Sequence, residues 1–114
     1  MDSIFKGHIC EDIAVRFYVS HGYKVLKRNF RTREGEIDII LHKDDTIVFA
    51  EVKSVPEYWS TDDFSCKINR SKVFRIKKTA SVYLASVLND VYHFVRFDAV
   101  FVSKNRLTCI TGAF

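Results

Sequence analysis

Four ionisable residues stand at every second position of two short apolar runs. The first run reads Gly35-Glu36-Ile37-Asp38-Ile39-Ile40 and the second Ile47-Val48-Phe49-Ala50-Glu51-Val52-Lys53. Alternation with period two is the mark of a strand, and it sets Glu36, Asp38, Ile40 and His42 on one face of the first run and Ile47, Phe49, Glu51 and Lys53 on one face of the second. The polar break Lys43-Asp44-Asp45-Thr46 joins the runs as a hairpin. A turn centred on Asp44 and Asp45 pairs residues whose numbers sum to 89, so that Asp38 faces Glu51 and Glu36 faces Lys53. Opposed side chains on one face hold their Cβ atoms about 4.5–5.5 Å apart, where like charges repel unless a cation lies between them. Mg²⁺ or Mn²⁺ answers that need, because hard divalent ions bind through one or two carboxylates together with water and phosphate oxygens. Lys53, on the same face, could orient or deprotonate a water attacking phosphorus and offset the charge that develops. The competing reading is a cross-strand ion network on a solvated sheet face. The flanking Ile, Val and Phe residues argue for burial, and buried acids need partners.

The elements that must position this hairpin follow from caps and periodicity. Asp2 or Ser3 caps a helix running to about Ser20, with His21-Gly22 as its stop. Phe5, Ile9, Ile13 and Phe17 form its apolar stripe, widened by Ala14 and Tyr18. Glu11 falls at the edge of that stripe, either an exposed helix acid or an acid pointing along a buried seam. Tyr23 to Phe30 mixes Val25, Leu26 and Phe30 with lysines and an arginine, as an edge strand does. After the hairpin, residues 54–66 lose periodicity and hold the only proline and tryptophan, Pro56 and Trp59. Trp59 and Tyr58 have two roles open to them there, packing the loop onto the core or stacking on a base. Asn69 or Ser71 caps a second helix reaching Leu88, with Phe74, Ala80, Tyr83, Leu84, Val87 and Leu88 on its apolar side. His93 to Val102, with Val95, Phe97, Ala99 and Phe101 on one face and Phe94, Arg96, Asp98, Val100 and Val102 on the other, is mostly apolar on both and therefore an inner strand, and Leu107 to Ile110 is a short last one. Helix, three strands, helix and two strands predict an α/β fold in one domain, residues 1–114, with a mixed sheet flanked by helices.

Charge is segregated along the chain, whose formal net charge is +4. Lys67, Arg70, Lys72, Arg75, Lys77 and Lys78 follow one another with no acid among them, and so do Lys24, Lys27, Arg28, Arg31 and Arg33. Without the first cluster, 12 basic residues face 14 acidic ones, so the rest of the chain is slightly acidic. Lys72, Arg75 and Lys78, spaced by three, line up on the N-terminal half of the second helix, where the helix dipole already favours anions. A nucleic-acid backbone is the partner that suits this surface, against a merely solvated basic helix face. Cys10, Cys66 and Cys109 are scattered, with no Cys-x-x-Cys, and so suggest neither a disulfide framework nor a zinc site. There is no glycine-rich phosphate loop, no His-Glu-x-x-His and no nominated serine or cysteine nucleophile. His42 alone among the histidines shares the face of Asp38, and it reads as a turn-flanking residue. No run is long enough to span a membrane and no signal peptide opens the chain, which predicts a soluble cytoplasmic protein that does not engage membranes.

An ordered set of short motifs resembles the bacterial UPF0102 (YraN-like) family, itself similar to the PD-(D/E)xK nucleases, which include restriction endonucleases and Holliday-junction resolvases. The set comprises Gly7 and Glu11 with Ala14, Gly22-Tyr23, Arg28-Asn29-Phe30-Arg31, Gly35-Glu36-Ile37-Asp38, Phe49-Ala50-Glu51-Val52-Lys53, Ser71-Lys72, Ala80 with Leu84, Arg96-Phe97-Asp98 and Ala113-Phe114. The resemblance implies a restriction-endonuclease-like αβββαβ core with Asp38 and Glu51 as metal ligands, Lys53 as the catalytic lysine, Glu11 as an accessory acid and Lys72 as a phosphate contact. One departure is present. Basic residues commonly follow Glu-x-Lys in the family, whereas Ser54-Val55-Pro56-Glu57 follow here, so no basic substrate contacts carry over to that loop. The leading expectation is an Mg²⁺-dependent (or Mn²⁺-dependent) endonuclease acting on DNA, with branched or damaged forms as candidate substrates, Lys67, Arg70, Lys72, Arg75 and Lys78 on the nucleic acid and Glu36 as an accessory residue. The rivals are a non-catalytic nucleic-acid-binding module and a protein-interaction domain, such as a homodimer, on the same fold.

Overall fold

A computed structural model describes residues 3–60, 69–87, 92 and 94–114; of Ser3 to Lys6 it describes the backbone alone. The order is α1 (Ser3–Ser20), β1 (Lys24–Arg31), β2 (Glu36–Lys43), β3 (Thr46–Ser54), α2 (Arg70–Ser86), β4 (Phe94–Val102) and β5 (Leu107–Ile110). This is an αβββαβ succession with one added strand. The five strands form one mixed sheet in the order β1-β2-β3-β4-β5. All neighbours are antiparallel except β3 and β4, which run parallel from Thr46↔Phe94 to Ser54↔Val102. A parallel pair needs a crossover, and α2 lies on it. β1 is an edge strand and β4 an inner one, as their patterns predict.

Among the described residues, one helix covers each face of the sheet. Cys10, Ala14 and Tyr18 of α1 pack on Ile39, Leu41, Val48, Ala50, Val100 and Val102. The buried stripe keeps the expected Ala14 and Tyr18 but is turned towards Cys10: Ile9 is exposed, Ile13 and Phe17 are only partly buried and flank it, and the Phe5 side chain lies outside the described residues. Small Cys10 and Ala14 let the helix approach the sheet closely, which the bulkier line could not do. Gly22, at φ 90°, ends α1 in the left-handed region, as expected of the stop there. On the other face Ile76 and Ala80 of α2 pack on Ile37, Ile40, Ile47 and Phe49. Asn69 is the N-cap, its side-chain oxygen accepting from the Lys72 amide at 2.8 Å. Phe74 does not join the apolar side of α2: it is 62% exposed, and Ile76 and Thr79 take the buried positions instead. Leu88, the expected helix end, lies outside the described residues. The Trp59 ring packs against Val55, Ala99 and Phe101, so the loop leans on the core through it, while Tyr58 remains exposed.

A buried polar node ties α1 to β4. Asp98 is wholly buried and accepts four hydrogen bonds: from Tyr18 Oη at 2.8 Å, Arg96 Nε at 2.8 Å, an Arg96 terminal nitrogen at 2.9 Å and the Gly112 amide at 3.0 Å. Arg96 also donates to Tyr23 Oη at 3.0 Å. Burial, with Asp98 beside it, pushes the Tyr18 phenol well above its ordinary range, and the bonds to Asp98 raise Arg96 despite burial, so Tyr18 stays neutral and Arg96 charged. The strand pattern placed Arg96 and Asp98 on one face without a role. Opposite charges two residues apart on an otherwise apolar inner strand were the available signal for it.

Candidate active site

The hairpin has the expected register but does not keep it to the end. Pairing with numbers summing to 89 holds from Lys43↔Thr46 to Ile39↔Ala50 and stops there. Neither Asp38 with Glu51 nor Glu36 with Lys53 is a ladder pair, contrary to the sequence expectation. β2 stays with β1 as far as Arg31↔Glu36, and β3 stays with β4 as far as Ser54↔Val102, so the two central strands part from each other while each keeps its outer neighbour. Alternation breaks at the same place: Ile37 packs with Ile40 and Phe49 on the α2 side rather than with Ile39 on the α1 side. At the fork the Asp38 carboxylate takes over the work of the missing ladder bond, accepting from the Val52 amide at 2.7 Å. Two opposed carboxylates could not have closed the ladder without a cation between them.

The fork opens into a cleft of about 350 Å³ lined by Gly35, Glu36, Asp38, Glu51, Val52, Lys53, Lys72, Arg75 and Ile76. The first turns of α2 form its far wall. Gly35 permits that approach, since a Cβ there would meet Thr79 Oγ1 at 3.3 Å and Arg75 Cβ at 3.4 Å. Glu51, with 11% of its side chain exposed, receives two ammonium groups on the same oxygen, Lys72 Nζ at 2.6 Å and Lys53 Nζ at 3.3 Å. Glu36 lines the cleft as well and pairs with Arg31 at 3.2 Å across β1 and β2. Glu11 lies in the buried seam, its side chain 14% exposed and 3.7 Å from Arg28, which also donates to Asp12 at 2.7 Å. Glu11 is not a lining residue of the cleft, yet its charge reaches Asp38.

Electrostatics single out Asp38. Burial and then the neighbouring Glu51 carboxylate push it up from 3.8 to about 7, with smaller contributions from Glu11 and Glu36; the Val52 amide opposes them. Burial draws the Lys72 ammonium below its ordinary value, with Lys53 beside it acting the same way and Glu51 opposing. For Lys53, burial is outweighed by the adjoining Glu51 carboxylate, and its pKa rises. Lys53 is thus a cation at neutral pH, suited to orienting a water and offsetting negative charge rather than to removing a proton. Among the described residues no three His, Cys, Asp or Glu side chains come together as a closed cage for a metal. A pair of carboxylates open to a cleft is nevertheless the donor set that Mg²⁺ and Mn²⁺ use when substrate oxygens and water complete the shell.

The predicted basic surface is only partly assembled. Lys72 and Arg75 line the cleft. Lys78 is drawn to Glu34 at 3.8 Å and lies 5.2 Å from the Phe74 ring centre. The three residues are therefore not a row of free cations: the buried charge of Glu51 has pulled Lys72 inward and Glu34 holds Lys78. Arg70 is exposed and outside the cleft, and Lys67 lies outside the described residues.

The sequence profile of the uncharacterised protein family UPF0102 matches residues 10–102. The chain belongs to the UPF0102 family. It is 41% identical over 107 residues to a UPF0102 protein of Caldicellulosiruptor bescii, covering 91% of this chain and 89% of that one. A UPF0102 protein of Sulfurihydrogenibium sp. is 40% identical over 115 residues, covering 100% of this chain and 97% of its own. A third, of Treponema pallidum, is 39% identical over 94 residues, 82% of this chain and 74% of that one. The UPF0102 match spans the forked hairpin, the N-terminal turns of α2 and the Tyr18, Arg96 and Asp98 side chains of the buried node together. No helix among the described residues is long and apolar enough to cross a membrane.

Proposed function

We propose that this protein is a metal-dependent phosphodiesterase acting on nucleic acid, DNA first, with Asp38 and Glu51 holding Mg²⁺ or Mn²⁺. One observation carries the reading: Asp38, at a fork where the sheet opens into a cleft, is held near pKa 7 by burial and by Glu51, a strain that a divalent cation relieves. Bound there, the ion would supply Lewis acidity at a phosphoryl oxygen and a more acidic water. Lys53 orients the attacking water and offsets charge developing on phosphorus. Lys72 and Arg75, on the α2 wall, take the non-bridging oxygens of the phosphodiester, where the helix dipole adds to their charge. Glu11 adds negative potential behind Asp38 and favours its divalent occupant.

Incubating the purified protein with Mg²⁺ or Mn²⁺ and single-stranded, duplex and branched DNA, resolved on a gel, tests the reading. Metal-dependent cleavage is expected, with loss in Asp38→Ala and Lys53→Ala. No cleavage of any DNA or RNA, or cleavage unchanged in both variants, would overturn it. A second reading has one observation in its favour: Lys53 and Lys72 already neutralise Glu51 without a metal, as a non-catalytic nucleic-acid-binding module would have it. That module predicts salt-sensitive binding with no turnover.

A further inference from the structure

Glu51 has more cationic partners than one carboxylate oxygen needs. Lys72 Nζ and Lys53 Nζ lie 2.6 and 3.3 Å from the same Oε1, in a side chain 11% exposed. A divalent ion on that oxygen must displace an ammonium. The two lysines are not equally free to leave. Lys53 stands two residues from Glu51 on the same strand, so its backbone is held beside that carboxylate by the sheet. Lys72 comes from another element, and its backbone is anchored at the N-cap by Asn69, so its four-carbon side chain can swing while α2 stays in place. Arg75, one turn on, lines the same cleft and marks where an anion would sit. The other cleft acids offer Lys72 no better berth: Glu36 is taken by Arg31 at 3.2 Å, and Asp38 is the second metal ligand.

We infer that Lys72 is an exchangeable counter-ion, seated on Glu51 in the resting protein and transferred to a backbone phosphate when nucleic acid enters, so that phosphate binding and metal binding strengthen each other. The inference rests on the proposed metal site and adds an order to it: the resting protein holds metal weakly and the substrate-bound protein holds it tightly. Coupling of this kind is reciprocal, so the metal must tighten nucleic-acid binding by the same factor. It also keeps the charge of Glu51 balanced in the absence of both ligands.

Mn²⁺ titration followed by the electron paramagnetic resonance of the free ion tests this without any turnover. Lys72→Met is expected to bind Mn²⁺ at least about fivefold more tightly than the natural protein when no nucleic acid is present, and adding a phosphorothioate DNA duplex should tighten Mn²⁺ by about fivefold or more in the natural protein but not in the variant. Lys72→Arg keeps a cation at the position and should retain the coupling. Lys78→Met removes the same charge from the same helix outside the cleft, so it should leave Mn²⁺ affinity within about twofold. A Lys72→Met affinity equal to or weaker than the natural one, or equal gains in Lys72→Met and Lys78→Met, overturns the exchange, with thermal melts confirming that each variant is folded. Failure of the duplex to shift the natural protein's affinity overturns the phosphate half. Expected Mn²⁺ behaviour without DNA or RNA cleavage would leave the exchange standing and remove the phosphodiesterase; no Mn²⁺ binding under any condition removes both.

Discussion

Asp38 and Asp98 are both aspartates drawn out of water, and their surroundings leave them in opposite conditions. Asp98 is wholly buried and fully served, accepting four hydrogen bonds between 2.8 and 3.0 Å, two of them from a guanidinium that binds both its oxygens. Among the described residues Asp38 has one donor, the Val52 amide, and it feels three further acids, Glu51 foremost after burial itself. A satisfied buried acid holds a fold together, whereas an under-satisfied one in a cleft is poised to bind something. The difference arises from the neighbouring elements. β4 brings its own arginine two residues before Asp98, while the fork between β2 and β3 brings a second carboxylate.

Substitution should separate the two residues sharply. Asp98→Ala leaves Arg96 and Tyr18 facing an apolar gap, and the loss of stability is expected at about 3–5 kcal/mol by chemical denaturation. Asp38→Ala under the same metal-free conditions at pH 8 should cost little or even stabilise; equal losses would break the distinction. Activity reverses the ranking. In a gel assay, Asp38→Ala and Lys53→Ala should lower metal-dependent cleavage by about 10²–10³-fold, while Asp98→Asn should change the turnover of its folded fraction far less.

The pH dependence sharpens the point. Because the folded-state pKa of Asp38, about 7, lies above 3.8, the folded protein holds this proton more tightly than the unfolded chain. Its contribution is fully present below about pH 4 and is lost as pH rises towards and through 7. Asp38→Asn, which keeps an acceptor for the Val52 amide, should therefore stabilise the metal-free protein at pH 8 by on the order of 1–3 kcal/mol and gain progressively less towards pH 4. Denaturation midpoints at a series of pH values check the slope. Saturating Mn²⁺ should act in the opposite sense, raising the melting temperature more at pH 8 than at pH 6, because the metal competes with the proton on Asp38. The smallest effect is expected on the outer face of α2, where Phe74→Ser should alter stability by no more than about 0.5 kcal/mol.

Much of the fold was legible in the sequence. Period-two alternation located the hairpin, Asp44 and Asp45 set its register, Asn69 capped α2, and the doubly apolar run before Val102 identified an inner strand. These features depend on residues close together in the chain, where local geometry decides. Alternation also put Asp38, Glu51 and Lys53 within reach of one cleft. What it could not decide was where the ladder ends, because the outer neighbours β1 and β4 draw β2 and β3 apart only once the whole sheet has formed. Local pattern put Ala14 and Tyr18 on the sheet side of α1 but not Cys10, which took that place over Ile9 because close approach depends on the opposing surface as well as on the helix. Lys72 looked from the sequence like one of three aligned surface cations. Tertiary structure brought a buried carboxylate within 2.6 Å of it and turned it inward, a pairing of groups 21 positions apart in the chain that no local periodicity encodes.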